Sequence, residues 1–517
     1  MKIFPNVCFS VSRKNPLLRS ALLGYFGLGR GGVPYNRYSD KVCAGGRHLG
    51  VCYTGIHGIG SFSPSLNRPL SQNMEVYARF ALISRTVRAV SRTLYTSTVR
   101  HQSDHHHFLI IGAGTAGVAT ASRLANSTSP EKVTLVEPEK THYYQPLWTL
   151  VGAGIRQVKD SGRPMSKVIP PSVNFISDRV VKFEPDTSRV HLASGKQLSY
   201  DFLILALGIS LRFDKIPGAK EALEEDPRVI SNYSLPHLEK TFKAYQAFQG
   251  GRAVFTLPCG PIKCAGAPQK AMYLFEDYLR KHHSRDKADI HYYTSLPKMF
   301  SVDKYAESLR QLCVDRNINM HLQHHLVEVD HGLSEAVVEE IPTKKRQTIK
   351  YDLLHITPPM SVPEVLKTAP KLTNPDMLDF VNVDYHTLRH RVYPNIFALG
   401  DCAALPISKT AAAVSSQSLT VFKNLMDVTK GGNGDVMKYD GYTACPLVTS
   451  YNTGILAEFD YTNQPLETFP FDQGKERYIN YFIKAIIMPP LYWDFLIHGL
   501  WPGPKYIRRI LHLGFSK

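Results

Sequence analysis

Gly112, Gly114 and Gly117, with Glu137 twenty positions after the last of them, are the residues whose spacing speaks most directly of chemistry. The segment Gly112-Ala113-Gly114-Thr115-Ala116-Gly117 separates the apolar run Phe108-Leu109-Ile110-Ile111 from a helical stretch at 118–125. A G-x-G-x-x-G alone occurs in many turns. Between a strand and a helix, with an acid at that distance, it marks a dinucleotide site. Gly112 permits the tight turn, Gly114 lets the backbone approach a pyrophosphate, and Gly117 lets helix and strand pack closely. The helix start offers unpaired N–H groups to phosphate. Glu137 can accept hydrogen bonds from an unphosphorylated ribose.

The elements that must hold these residues follow the same logic. A second strand at 132–136 ends at Glu137, and a third at 200–208 ends in Gly208. A second βαβ unit reads as strand 252–256, helix 270–279 and strand 289–294, inserted in the first domain. A late strand at 395–399 ends in Gly400-Asp401, and a helix begins near Lys409-Thr410. The turn of the second unit, 257–268, carries Pro258, Pro261 and Pro268 and no glycine fingerprint, so a nicotinamide site is not expected there. It carries Cys264 instead, after Lys263 and ahead of a helix, two features that favour thiolate over thiol. Cys259 could bridge Cys264 locally, while Cys313 and Cys402 read as packing. A buried free cysteine more often acts as a small hydrophobe. No C-x-x-C occurs, and no metal site is expected. His105-His106-His107 reads as a solvated run ahead of the first strand.

Charge divides the chain. It has 517 residues and a formal charge of +17, of which +11 precedes His105. The remainder is only mildly basic, which argues against nucleic acid as a partner. Residues 1–104 read as a leader, and the arginines at 79, 85, 88 and 92, spaced among apolar residues, suit a mitochondrial targeting segment. The C-terminal stretch is apolar and aromatic, broken by Pro489-Pro490, and too short and polar to span a bilayer. With Lys505, Arg508 and Arg509 it suits a helix lying in a headgroup region, or one packed on the core.

Two βαβ units, the strand ending at Gly208 and the late Gly400-Asp401 resemble the flavoproteins with two dinucleotide-binding domains. Residues 105–517 are similar, more narrowly, to the mitochondrial sulfide:quinone oxidoreductases. The likeness is carried by Tyr144-Gln145-Pro146-Leu147-Trp148-Thr149-Leu150-Val151-Gly152, Lys263-Cys264-Ala265-Gly266-Ala267-Pro268-Gln269-Lys270, Ser408-Lys409-Thr410-Ala411-Ala412-Ala413 and Tyr439-Asp440-Gly441-Tyr442-Thr443-Ala444-Cys445-Pro446.

The resemblance implies an α/β fold of two Rossmann-like domains plus a C-terminal amphipathic membrane-attachment region. The divisions expected are the leader, an FAD domain at 105–225 and 370–440, a second Rossmann-like domain at 226–369, and a last region at 441–517. It implies FAD held by Gly112, Gly114, Gly117, Glu137, Gln145, Pro146, Asp401 and Thr410, with Lys409 a positive group near flavin or quinone. It also implies a redox pair of Cys264 and Cys445, with Cys445 the thiolate facing the flavin and Cys264 carrying a persulfide. The expected partners are hydrogen sulfide, ubiquinone, a small sulfur acceptor such as glutathione, sulfite or cyanide, and the matrix face of the inner mitochondrial membrane. A type II NADH:quinone dehydrogenase would need the missing second fingerprint. A silent flavin-binding protein would not need the two cysteines.

Overall fold

The computed structural model describes residues 104–129 and 132–515. The leader and its expected targeting segment lie outside the described residues, Asp104 excepted. β1 (His105–Ile111) runs through the glycine turn into α1 (Thr115–Ala125) and β2 (Val133–Val136). β3 (Asn174–Ile176), β4 (Val180–Glu184), β5 (Arg189–Leu192) and β6 (Gln197–Leu205) complete the first pass, in the order β3-β2-β1-β6-β5-β4. β1 pairs in parallel with both β2 and β6, and Phe108 to Ile111 are at most 2% exposed. A strand covered on both faces has no polar side to alternate with, hence the unbroken apolar run.

The chain then leaves to build a second sheet. β7 (Val229–Ile230), β8 (Gly251–Leu257), α2 (Ala267–Lys281), β9 (Ala288–Thr294), β10 (Ile318–Leu322) and β11 (Leu353–His355) give an all-parallel sheet ordered β7-β11-β8-β9-β10. Three antiparallel strands, His324–Asp330, Glu335–Glu340 and Arg346–Lys350, form a separate sheet between β10 and β11. The sequence reading does not anticipate them, because their charged exposed faces dilute the alternation of Leu326, Ala336, Val338 and Ile349. The chain returns in β12 (Ile396–Ala398), parallel to β6, so the second unit is an insertion in the first. α3 (Ala411–Val428) and the hairpin β13 (Thr443–Val448) and β14 (Gly454–Phe459) follow.

Three local expectations change. The three histidines are the first residues of β1 rather than a solvated run. His106 is 5% exposed with Nδ1 2.9 Å from Thr134 Oγ1, while His105 and His107 meet Asp201. Pro489-Pro490 does not break the C-terminal segment, which is helical from Tyr478 to Leu496. Ile483–Ile487 and Leu491–Leu496, flanking the prolines, are π-helical, and such wide turns accommodate rings that would clash with the carbonyl one α-turn back. Among the described residues no helix is long and apolar enough to cross a membrane. Beyond it, Ile510, Leu513 and Phe515 are exposed. Arg508 does not join Lys505 and Arg509 at the surface: it is 2% exposed, 5.3 Å over the Tyr442 ring.

Candidate active site

A cavity of about 650 Å³ is walled by the glycine turn, the Gly400-Asp401 turn, the loop of Cys264, α2, the β13–β14 hairpin and the C-terminal run. Of the residues expected to hold a cofactor, all but Gly117 line it. Gly117 lies behind, where a Cβ would come within 1.8 Å of the Gly112 carbonyl oxygen. Gly112 has φ 100°, and a Cβ there would stand 2.4 Å from the Ala206 oxygen, so the turn is pressed between α1 and the end of β6. Gly114 differs, having nothing within 4 Å of its Cβ position.

These features fit a bound dinucleotide. The first turn of α1 carries no acid and no side-chain cap, leaving its N–H groups for a phosphate. Glu137 is set in place by the amides of Ala113 (2.7 Å) and Glu139 (3.0 Å), with lone pairs left for ribose hydroxyls. Replacing Gly117 by alanine is expected to push α1 off the turn, giving a protein that purifies without visible flavin absorbance and melts several degrees lower, an overpacking cost of roughly 1–3 kcal/mol. Absorbance spectra and thermal unfolding check this directly.

The far side of the cavity is built around Asp401. Gly400, at φ 75°, brings this turn to α1, where its Cβ position lies 3.1 Å from Ala116 Cβ. Burial pushes the Asp401 carboxyl up, opposed by the Lys409 and Lys263 ammonium groups. Thr410 caps α3, its Oγ1 accepting from Ala413 N at 3.2 Å. Lys409 has a more local part than the sequence suggests: Nζ donates to the carbonyls of Asp401 (2.7 Å) and Ala403 (3.2 Å) and lies 3.9 Å over the Phe380 ring. Burial lowers its pKa to about 8. Lys263 Nζ meets Gln145 Oε1 at 2.9 Å.

Cys264 and Cys445, far apart in sequence, meet at this cavity. Both are free thiols, and their sulfurs share one ammonium, that of Lys270. Cys264 holds a left-handed backbone, φ 51°, a costly conformation for a side chain other than glycine. Its N–H donates to the Lys409 carbonyl at 2.9 Å, and its own carbonyl accepts from Tyr233 Oη at 2.9 Å and Ala267 N at 2.8 Å. Cys445 sits in β13 opposite Ala457, and glycine at 266 clears its sulfur, since a Cβ there would lie 2.8 Å from Sγ. Lys270 Nζ is 3.1 Å from Cys264 Sγ and 3.9 Å from Cys445 Sγ.

Within this pair the Lys270 ammonium favours charge on Cys264, the nearer sulfur. The facing Cys445 thiol and the Lys270 ammonium hold the Cys264 thiol well below its ordinary range, against the opposing effect of burial. Facing Cys264, together with burial, drives the Cys445 thiol up. Burial disfavours the Lys270 ammonium, but the facing sulfurs more than offset it and its pKa rises. A second lysine, Lys484 of the C-terminal run, is 3% exposed, donates to the Pro146 carbonyl at 3.0 Å, and is lowered to about 7 by burial and by Lys270. The sequence reading missed both lysines. The signal for Lys270 was a lone charge sharing a helical face with Ala267, Ala271 and Leu274. The other described cysteines lie apart from this pair: Cys402 and Cys313 are buried, each pushed up to about 11 by burial, and Cys259 is exposed with its thiol toward Ser295.

The C-terminal run also touches the glycine turn. His142 Nδ1 lies 2.8 Å from the Ala113 carbonyl and Nε2 2.6 Å from Tyr492 Oη, which is 2.9 Å from Thr115 Oγ1. Burial lowers His142 to about 4, so the ring is neutral. Nδ1–H then donates to Ala113, Nε2 accepts from Tyr492, and Tyr492 accepts from Thr115.

Residues 106–244 match the pyridine nucleotide-disulphide oxidoreductase family model. The chain is 47% identical over 425 residues to the mitochondrial sulfide:quinone oxidoreductase of Mus musculus, covering 82% of this chain and 93% of that protein. It is 42% identical over 397 residues to that of Dictyostelium discoideum, covering 76% and 86%. The crystal structure of the sulfide:quinone oxidoreductase of Aquifex aeolicus shares the fold, with a TM-score of 0.67 at 20% identity over 80% of this chain and 96% of that one.

Proposed function

The chain belongs to the mitochondrial sulfide:quinone oxidoreductases, flavin-dependent oxidoreductases, and on that premise we propose that Cys264 and Cys445 form the disulfide at which sulfide is oxidised. The observation that carries this is the pair of sulfurs sharing the Lys270 ammonium, in the cavity that the glycine fingerprint also lines.

Hydrosulfide attacks Sγ of Cys445; the disulfide bond breaks, Cys445 becomes a persulfide, and Cys264 leaves as a thiolate beside Lys270. This exchanges the parts assigned from sequence. Lys270 stands nearer Cys264, and the Cys264 backbone is tied to Lys409, next to the Gly400-Asp401 turn and α3. A sulfur acceptor, such as glutathione, sulfite or cyanide, then takes the outer sulfur and leaves Cys445 as a thiolate. Re-forming the disulfide from two thiolates releases two electrons. The glycine turn, Glu137, Gln145, Pro146, Asp401 and Thr410 would hold FAD, which would supply a two-electron carrier between these sulfurs and ubiquinone. Lys270 and Lys484 favour the anionic sulfur species inside a wall otherwise rich in apolar groups.

Leu491, Tyr492 and Ile507 carry that wall toward the exposed apolar C-terminus, a route for a lipid-soluble quinone from the matrix face of the inner membrane. The decisive experiment is an anaerobic sulfide titration of the flavin-loaded protein followed by a short-chain ubiquinone. Bleaching of the flavin band by sulfide and its return with quinone is the expected result. Indifference to sulfide with bleaching by NADH would move the assignment to the dehydrogenases.

A further inference from the structure

α1 carries the glycine turn at its start, and the rest of its length is held by the C-terminal run. At the start, Thr115 Oγ1 meets Tyr492 Oη at 2.9 Å. Toward the end, Ser122 Oγ donates to the Ile497 carbonyl at 2.6 Å, Arg123 Nη2 to the Trp501 carbonyl, and Asn126 Nδ2 to the His498 carbonyl at 3.1 Å. Gly499, at φ 73°, fits against the helix because it has no side chain: a Cβ there would lie 2.8 Å from Arg123 N. The same segment reaches α3. Arg123 Nε donates to Ser418 Oγ at 3.2 Å, and a Cβ at Gly503 would lie 2.7 Å from Ser416 Oγ. Residues 497–503 are thus wedged against two helices whose first residues, Thr115 and Ala411, line the cofactor cavity. Arg123 ties the wedge in place. It is 7% exposed, pairs with no carboxylate among the described residues, and its hydrogen bonds go to Ser418 and Trp501. Detaching the run would strip one of those partners from the guanidinium.

The outward side of this run is apolar. Leu500, Tyr506, Ile510, Leu513 and Phe515 are between 50% and 92% exposed, with Lys505 and Arg509 among them. We propose that residues 497–503 are a latch through which docking of the C-terminus on a lipid bilayer tightens the protein's hold on its flavin. This rests on the membrane attachment and the FAD site proposed above. A bilayer that receives these side chains in their seated arrangement favours the latched form over one with the run detached. In the latched form Tyr492, Trp501 and Ile507 wall the cavity, and the wedge fixes the helix whose N–H groups face the phosphates. Flavin therefore also favours the latched form. Lipid and cofactor select one state from opposite sides of the run, so each strengthens the binding of the other without touching it.

The test follows loss of FAD from the purified holoenzyme on dilution, measured as flavin passing an ultrafilter, with and without vesicles of phosphatidylcholine and phosphatidylglycerol. Flotation of the vesicles reports docking in the same samples. The wild type is expected to float and to release flavin about tenfold more slowly when docked, within the usual range of coupling between two sites. Ile510→Ser combined with Leu513→Ser should weaken flotation and release flavin at the vesicle-free rate in both conditions. Gly499→Ala should still float yet release flavin at one fast rate with or without vesicles, because the added methyl lifts the run from Arg123. Equal release by the wild type on and off the vesicles, with flotation intact, would overturn the proposal, and that comparison needs no variant to fold. Protein that stays behind when the vesicles float would instead remove the membrane attachment on which the proposal rests, and protein that purifies without flavin would remove the FAD site.

Discussion

Serine in place of either Cys264 or Cys445 is expected to lower sulfide-dependent quinone reduction by about a thousandfold or more, with flavin content and melting temperature nearly unchanged. The size of the effect follows from the chemistry: without a disulfide there is no electrophilic sulfur for hydrosulfide to attack and no sulfur leaving group. The fold should tolerate the change. Cys445 lies in a hairpin held by its own ladder, and the Cys264 loop is fixed by backbone bonds to Lys409, Tyr233 and Ala267 that do not involve its sulfur. The two variants should differ in one respect. In Cys445→Ser the remaining Cys264 keeps Lys270 at 3.1 Å and should react with iodoacetamide at neutral pH. In Cys264→Ser the remaining Cys445 loses the sulfur that faces it and lies farther from the ammonium. Quinone reduction at wild-type rates in both variants would remove the two cysteines from the reaction.

Lys270→Met should produce the next largest effect and a distinctive pH profile. The Cys264 thiol is held low by the Cys445 thiol and by this ammonium, while burial pushes the other way. Taking the charge away leaves burial less opposed, so the thiol's pKa rises toward and beyond the ordinary cysteine value of about 8.5. The sign is then fixed. The wild-type thiolate is present across the neutral range, whereas the variant's thiolate appears only as pH climbs through the raised pKa. At pH 7 the thiolate fraction, and with it the rate, should fall by roughly a hundredfold, recovering between about pH 8 and 10. Dividing variant by wild-type rates at each pH cancels the ionisation of sulfide itself. A ratio that stays flat would mean that Lys270 does not act through the thiolate.

Sequence alone exposed those parts of this molecule where chemistry and backbone geometry coincide. Gly112 and Gly117 announce themselves because a left-handed turn and a helix contact each exclude a side chain, and backbone atoms do crowd both Cβ positions, whereas Gly114 has open space beside it. The missing second fingerprint was equally legible, since prolines cannot make that turn. What remained hidden depends on long-range closure. Lys270 and Lys484 lie far apart in sequence and come to one sulfur pair only when α2 packs beside the C-terminal run. Lys409 was placed by proximity to Asp401, but its ammonium is claimed by two carbonyls that only the folded turn presents to it. The three histidines were misread for a related reason: the middle one finds Thr134 on β2, a partner that no local pattern announces.

The hydrogen-bonded chain from Ala113 through His142 and Tyr492 to Thr115 also bears on when the protein can be finished. The tyrosine that secures the glycine turn lies 377 residues after Thr115, and the wall from Ile483 to Ile507 likewise follows both βαβ units, so they leave a ribosome well after the turn is made. A nascent chain halted before residue 492 would own every glycine of the fingerprint and still lack a closed pocket. Cofactor capture in this protein therefore waits for the segment 483–507, and the supply of flavin must meet the chain after that segment has emerged, not as soon as the fingerprint has.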